Sequence, residues 1–431
     1  MKFLLILLPH ILSILSKTTF MTEDEIVHCL KHTTMEWTFE KNPNVNLTFE
    51  KQKTVKLNRE TSYRKDNISM LYHKTAFLTN LPESFDSREK WPQCKDIINH
   101  IRDQGNCAGS WAAITASVFS DRICIGSEGE TKVHISAESI LDCCNECMLT
   151  MDRPCDGGFP YLAWHHIQEY GAVTGGELDS GEGCQPYSEA HFRGDASPCT
   201  KSCTNRKYDK TYTNDTYFPE LIYLLDESQD QIQKEIMDHG PVMGLMEINE
   251  DLAFYKKGLY HPTCGESLGY QAFKIVGWGL RDDELEYWLV ANCWGPKWGD
   301  SGFFKVWKDV DFRFLQNEVR ACRMTPLDLQ EFVISNPDAE KFYYAGGKKL
   351  LWDRACLLLY GISTAGVTLE SEWYSRVPQV TRNPTDFRLE NWRSDCASCA
   401  DGIGVGHGVN NSSKLASPFA RTAAPMPSTP G

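Results

Sequence analysis

The chain has no uninterrupted apolar stretch of the roughly 20 residues that a membrane-spanning helix needs. Its early apolar runs, Phe3–Leu8 and Ile11–Leu15, follow Lys2 and give way to small and polar residues. They read as a secretory signal over Met1–Ser16, too short to span a bilayer. Basic charge is also in short supply. With 44 Lys and Arg against 58 Asp and Glu, the net charge is −14. That balance speaks against a nucleic-acid partner, which would need a basic face; by itself it favours solubility and nothing sharper. A zinc-type ligand set is missing too, because Cys396 and Cys399 form a lone CxxC with no second pair of ligands. No metal and no cofactor is expected.

What the chain does have in quantity is cysteine. Seventeen of them behind such a leader read as a disulfide framework made in an oxidising compartment. Spacing alone leaves the connectivity open. Asn-Xaa-Ser/Thr sites at Asn46, Asn67, Asn214 and Asn411 agree with passage through the secretory pathway.

A length of 431 residues leaves room for two to three domains. Residues 17–80 are rich in Lys, Glu, Thr and Asn. Residues 326–431 carry no recognisable pattern: Lys348–Leu369 is moderately apolar but broken by Asp353 and Arg354, and from about Gly402 the Gly, Ser, Ala and Pro content reads as disordered. In between, Trp111, Ile114, Val118, Phe119 and Ile123 recur at helical spacing. Leu162–Tyr170 also reads as a helix, with His165 and His166 as solvated residues on it. Leu285–Asn292 and Gly302–Trp307 read as strands, apolar and β-branched or aromatic. Helices early and strands late make an α+β chain.

Several motifs run in order from Leu81 to Met324. They include Leu81-Pro82-Glu83-Ser84-Phe85-Asp86-Ser87-Arg88, Asp103-Gln104-Gly105-Asn106-Cys107-Ala108-Gly109-Ser110-Trp111, and Cys155-Asp156-Gly157-Gly158. Gly183-Cys184-Gln185-Pro186-Tyr187, Ile275-Val276-Gly277-Trp278-Gly279 and Asn292-Cys293-Trp294 continue the series, and Trp298-Gly299-Asp300-Ser301-Gly302 closes it. Together they resemble the cathepsin B branch of the papain cysteine proteases. The resemblance implies a two-lobed papain-like domain over 81–325, with a helical lobe, a barrel-like lobe and a cleft between them. It makes 17–80 a propeptide-like segment, of which Cys29–Trp37 matches the part that packs on the enzyme. It also implies the pairs Cys94–Cys124, Cys107–Cys155, Cys143–Cys199, Cys144–Cys147 and Cys184–Cys203, and leaves Cys264 and Cys293 without a family partner.

The departures fall on the chemistry. A cysteine protease of this kind needs a thiolate, an imidazole beside it, an orienting group and oxyanion donors. The family's nucleophile slot holds Ser110 and its histidine slot holds Gln271, whereas the oxyanion-hole Gln104 and the orienting Asn292 are kept. A hydroxyl is a poor nucleophile without a base, and a primary amide has no useful basicity near neutral pH. With both family residues replaced, the chain resembles a pseudoprotease of the tubulointerstitial nephritis antigen type. Gly157, Gly158, Trp294 and Trp298 match cleft positions, and Gln316 matches the floor of a specificity pocket. The occluding-loop region is short: Ser188–Pro198 holds a lone His191 and no adjacent His pair.

The expectation is therefore a secreted or lysosomally routed monomer that binds a peptide or protein in its cleft, such as a cystatin-like inhibitor, without cutting it. The alternative is a true peptidase whose base comes from elsewhere, with His191 of the shortened loop as the candidate.

Overall fold

The computed structural model describes residues 20–33, 36–41, 70–73, 81–226, 228–308, 320–324 and 332–334. All of them belong to the unit formed by Met1–Asn336. The expected α+β arrangement is present, with helices gathered early in the domain and a large, mostly antiparallel sheet built from its later part.

The central helix is Ser110–Gly126. Every side chain from Ser110 to Cys124 is buried, the polar and charged ones included. It packs on Ala137–Cys143, on Pro160–Tyr170 and on the long strand Ser267–Leu280. Trp111, Ile114, Phe119, Trp164 and Ile167 lie in one apolar core on this helical side. A second core, with Tyr255, Tyr260, Phe273, Trp288, Trp298 and Phe304, fills the sheet side.

Along the sheet the strands Tyr255–Tyr260, Phe303–Trp307, Glu286–Ala291, Ser267–Leu280, Val242–Asn249, Arg320–Arg323 and Leu221–Leu225 are successive neighbours. Trp37–Phe39 extends the sheet next to Tyr255–Tyr260, and Met70–His73 and Phe332–Ile334 extend it at the other end. The strands expected from the sequence fall within a residue or so of their observed limits.

Two buried ion pairs tie the central helix to its surroundings. Asp121 meets Lys274 at 3.0 Å, and Lys274 also donates to the carbonyl of Ile98 at 2.9 Å. Arg122 meets Glu235 at 2.8 Å and donates to the carbonyls of Gly240 and Pro241. Such pairs are strongly destabilising to break, because the partner left behind is a buried uncompensated charge.

The five cysteine pairs implied by the family resemblance are all present. A sixth bridge corrects the expectation for Cys264, which pairs with Cys29 of the N-terminal segment. The reading of His166 as a solvated helix residue is also corrected. It is buried on the inner face of its helix, and burial, with Lys201 nearby, brings its pKa down to about 4.

Candidate functional site

Four chain segments bring the site residues together. The loop 103–104 is pinned beside Asn292-Cys293-Trp294 by an Asp103–Trp294 bridge and by the Gln104 N–H donating to the carbonyl of Cys293 at 2.9 Å. Gln271 sits on Ser267–Leu280, opposite Met246 in the neighbouring strand. Asn292 directly follows the strand Glu286–Ala291 that pairs with the other edge of Ser267–Leu280. Ser110 opens the central helix; Gly109 is its N-cap and supplies no side-chain cap.

These side chains form one buried cluster of neutral groups. Gln271 Nε2 reaches Gln104 Oε1 at 3.2 Å, Asn292 Oδ1 at 3.4 Å and Cys293 Sγ at 3.5 Å. The Cys293 thiol donates to Gln104 Oε1 at 2.9 Å. Ser110 Oγ accepts from the backbone N–H of Ala272 at 3.3 Å. Among the described residues no imidazole hydrogen-bonds Ser110. With its carbonyl end engaged by Gln271 and Cys293, Gln104 presents a buried amide nitrogen that has no partner, and so does Asn292. Buried donors are seldom left unmade, and Ser110 itself opens a helix N-terminus, where negative partial charge is stabilised.

The structure thus brings Ser110, Gln271, Asn292 and Gln104 together. Cys293, a cysteine with no family partner in the sequence, joins them through Gln104 and Gln271. Its position next to Asn292 was the available signal.

The cleft assignments divide. Trp294 and Trp298 stack edge-to-face with ring centroids 5.4 Å apart, and both are buried in the sheet-side core. Gly157 adopts φ +111°, a conformation that favours glycine. A Cβ on Gly158 would lie 2.6 Å from the Trp111 ring and from the Cys147 carbonyl oxygen. The smallness of Gly158 therefore serves packing against the central helix. Asn214 is exposed in the turn Thr213–Asp215. Gln316, Asn46, Asn67 and Asn411 lie outside the described residues, as does the region from about residue 402.

His191 is not a mobile base. It is fully buried on the short helix Glu189–Arg193. Its Nε2 lies 2.9 Å from Asp142 Oδ1, and its Nδ1 lies 3.2 Å from Glu138 Oε2 and 2.9 Å from Ser188 Oγ. Burial alone would lower its pKa. The hydrogen bonds to Asp142 and then Glu138, with their charges, overcome that and raise it to about 9. Burial pushes the Asp142 carboxyl up in spite of His191; the second carboxylate, Glu138, keeps the imidazolium as the favoured form. Ser188, His191 and Asp142 thus have the spacing of a serine-protease triad around an imidazole that already holds its proton. Glu138, Asp142 and His191 are also close enough to suggest a metal set. The two carboxylates, however, sit on opposite nitrogens of one ring, so a single ion could not use both together with the imidazole as placed.

A family model described as papain family cysteine protease matches residues 81–325. Among curated proteins, the chain is 40% identical over 249 residues to a Caenorhabditis elegans protein named cathepsin B-like cysteine proteinase 6, covering 54% of this chain and 64% of that one. It is 39% identical over 241 residues to cathepsin B-like cysteine proteinase 4 of the same organism, covering 52% and 70% respectively. Among solved structures, procathepsin B S9 from Trypanosoma congolense superposes with a TM-score of 0.59 at 31% identity, covering 70% of this chain and 98% of that one.

Proposed function

This chain belongs to the papain family of cysteine proteases as a cathepsin B-like homologue, and from that premise we propose that it binds peptide or protein ligands in its cleft without hydrolysing them. The observation that carries the reading is the make-up of the site cluster. A hydroxyl, two side-chain amides and a Gln amide in the base position face one another, and none of them can take a proton from Ser110. Proton transfer by a positioned base contributes typically 10²–10⁴-fold, and loss of nucleophile or base from a protease triad costs about 10⁶ in turnover. What remains, the Gln104 and Asn292 amide donors and a helix N-terminus, favours holding a carbonyl over cleaving beside it. His191 gives no support to the peptidase alternative, because leaving its two carboxylates would break a buried ion pair.

A disulfide-rich cathepsin B-like chain is consistent with the secretory pathway or the lysosome, and a monomer is the expected form. The cystatin-like partner rests on shape: a wedge that fills such a cleft does not require a thiolate. Titrating purified protein with a cystatin and with a peptide aldehyde by calorimetry tests this. Measurable cystatin binding together with no covalent aldehyde adduct supports a binding role. No binding of either, by protein shown to be folded, would overturn it.

A further inference from the structure

Cys29 and Cys264 are joined across 235 residues of sequence. The half that carries Cys29 is a well-formed element: Glu23–His32 is a helix closed by a capping box between Thr22 and Glu25, and Ile26 and Leu30 are buried in the sheet-side core. Downstream, Trp37–Phe39 pairs antiparallel with Tyr255–Tyr260, with Trp37 opposite Gly258. Gly258 has φ +106°, and a Cβ there would meet the Glu36 carbonyl oxygen at 2.5 Å, so the domain strand is shaped to this close approach. Glu36–Arg281 at 2.8 Å and Glu40–Lys256 at 3.1 Å flank the strand. The surface that receives the segment is thus formed mainly by residues 250–264, and the disulfide fastens it there.

Residues 42–80 connect this segment to the domain in sequence. A backbone cut anywhere among them divides the polypeptide but leaves Cys29 bonded to Cys264. We propose that residues 20–41 are a resident partner of the 250–264 surface that survives such a cut. Their release takes two events: hydrolysis of a peptide bond in 42–80, and reduction of Cys29–Cys264 by a dithiol, which becomes a disulfide as the two cysteine thiols form. Without the bridge, retention after a cut would depend on protein concentration. With it, the segment faces its surface at an effective concentration on the order of millimolar whatever the dilution.

The position has a consequence for the cleft. The Trp37 ring lies 6.0 Å from Tyr255 and 5.3 Å from Tyr260. Tyr255 in turn contacts Trp298, which stacks on Trp294 beside Asn292. The segment therefore buttresses the aromatic stack next to the site cluster.

The test uses the full chain with a site-specific protease sequence inserted between Asn80 and Leu81. After cutting, the N-terminal fragment should remain attached on a thiol-blocked, non-reducing denaturing gel and separate on a reducing one. By native mass spectrometry its occupancy should stay complete from micromolar to nanomolar protein, whereas in Cys29→Ser it should fall with dilution. Separation of the parent protein's fragment without reductant would overturn the proposal. So would retention by Cys29→Ser at every concentration, since the bridge would then not be what holds the segment. Should Cys29→Ser fail to fold, the gel on the parent protein still decides.

Discussion

Two buried polar clusters in this molecule have opposite electrical character. Around Ser110, the groups that meet are the amides of Gln104, Gln271 and Asn292 and the thiol of Cys293. Around His191, an imidazole is held between Glu138 and Asp142 with Ser188 at hydrogen-bonding distance. The second cluster has the parts of a proton relay, but its proton is locked in place by two carboxylates. The first, among the described residues, has no imidazole hydrogen-bonded to its hydroxyl, which accepts from the Ala272 N–H. The comparison teaches that a serine, a histidine and an aspartate at suitable distances do not make a base. What matters is whether the imidazole is free to gain a proton at the working pH.

The largest effect is expected from exchanging two groups at the neutral cluster. Ser110→Cys with Gln271→His should yield detectable hydrolysis of fluorogenic peptides, at least about 10³-fold above either single change, because thiolate and imidazole act as a unit. Gln104, Asn292 and the helix N-terminus are already in place. Tyr270 directly precedes the new imidazole, so Tyr270→Gly, which removes the bulk of its ring, is the accompanying change if the pair alone stays silent.

At the charged cluster the expected effect is on stability and has a definite sign. The His191 pKa in the folded protein, about 9, lies above the ordinary value of about 6.5. Its contribution is therefore fully present below about pH 6.5 and lost as pH rises towards 9. The difference corresponds to roughly 3 kcal/mol at about 1.4 kcal/mol per unit. His166, lowered to about 4, acts the other way: its contribution is present above about pH 6.5 and lost as pH falls towards 4. Denaturant unfolding followed across this range should show His191→Gln flattening the alkaline limb and His166→Gln flattening the acid limb. A His191→Gln profile identical to that of the parent would contradict the locked imidazolium.

Gly158→Ala tests the packing role assigned to that position. The added methyl would meet the Trp111 ring and the Cys147 carbonyl, and overpacking of this kind typically costs about 1–3 kcal/mol. The loss should appear as a lower midpoint of denaturant unfolding. The smallest effect is expected at Asn214, exposed in a turn. Asn214→Gln in secreted protein should remove one glycan mass and leave stability within about 0.5 kcal/mol.

Much of this was legible in the chain. The helix beginning at Ser110, the strands around Asn292 and the α+β class follow from apolar periodicity and β-branched runs, which are local signals. The site slots could be read because motif order carries across the whole domain. Three features escaped because they are set by residues distant in sequence. His166 lies on a helix whose inner face is defined only by what packs on it. The partner of Cys264 is 235 positions away, and spacing cannot pair cysteines. The fate of His191 depends on Glu138 and Asp142, some fifty residues upstream, whose approach no local pattern announces.

The central claim is that this cleft binds without cutting, and peptide turnover tests it most directly. The full-length protein and its Ser110→Ala variant, both uncut and cut ahead of Leu81, would be compared on dibasic fluorogenic peptides across acid and neutral pH. The account predicts that neither exceeds the buffer control. Turnover by the parent that disappears in Ser110→Ala would contradict it.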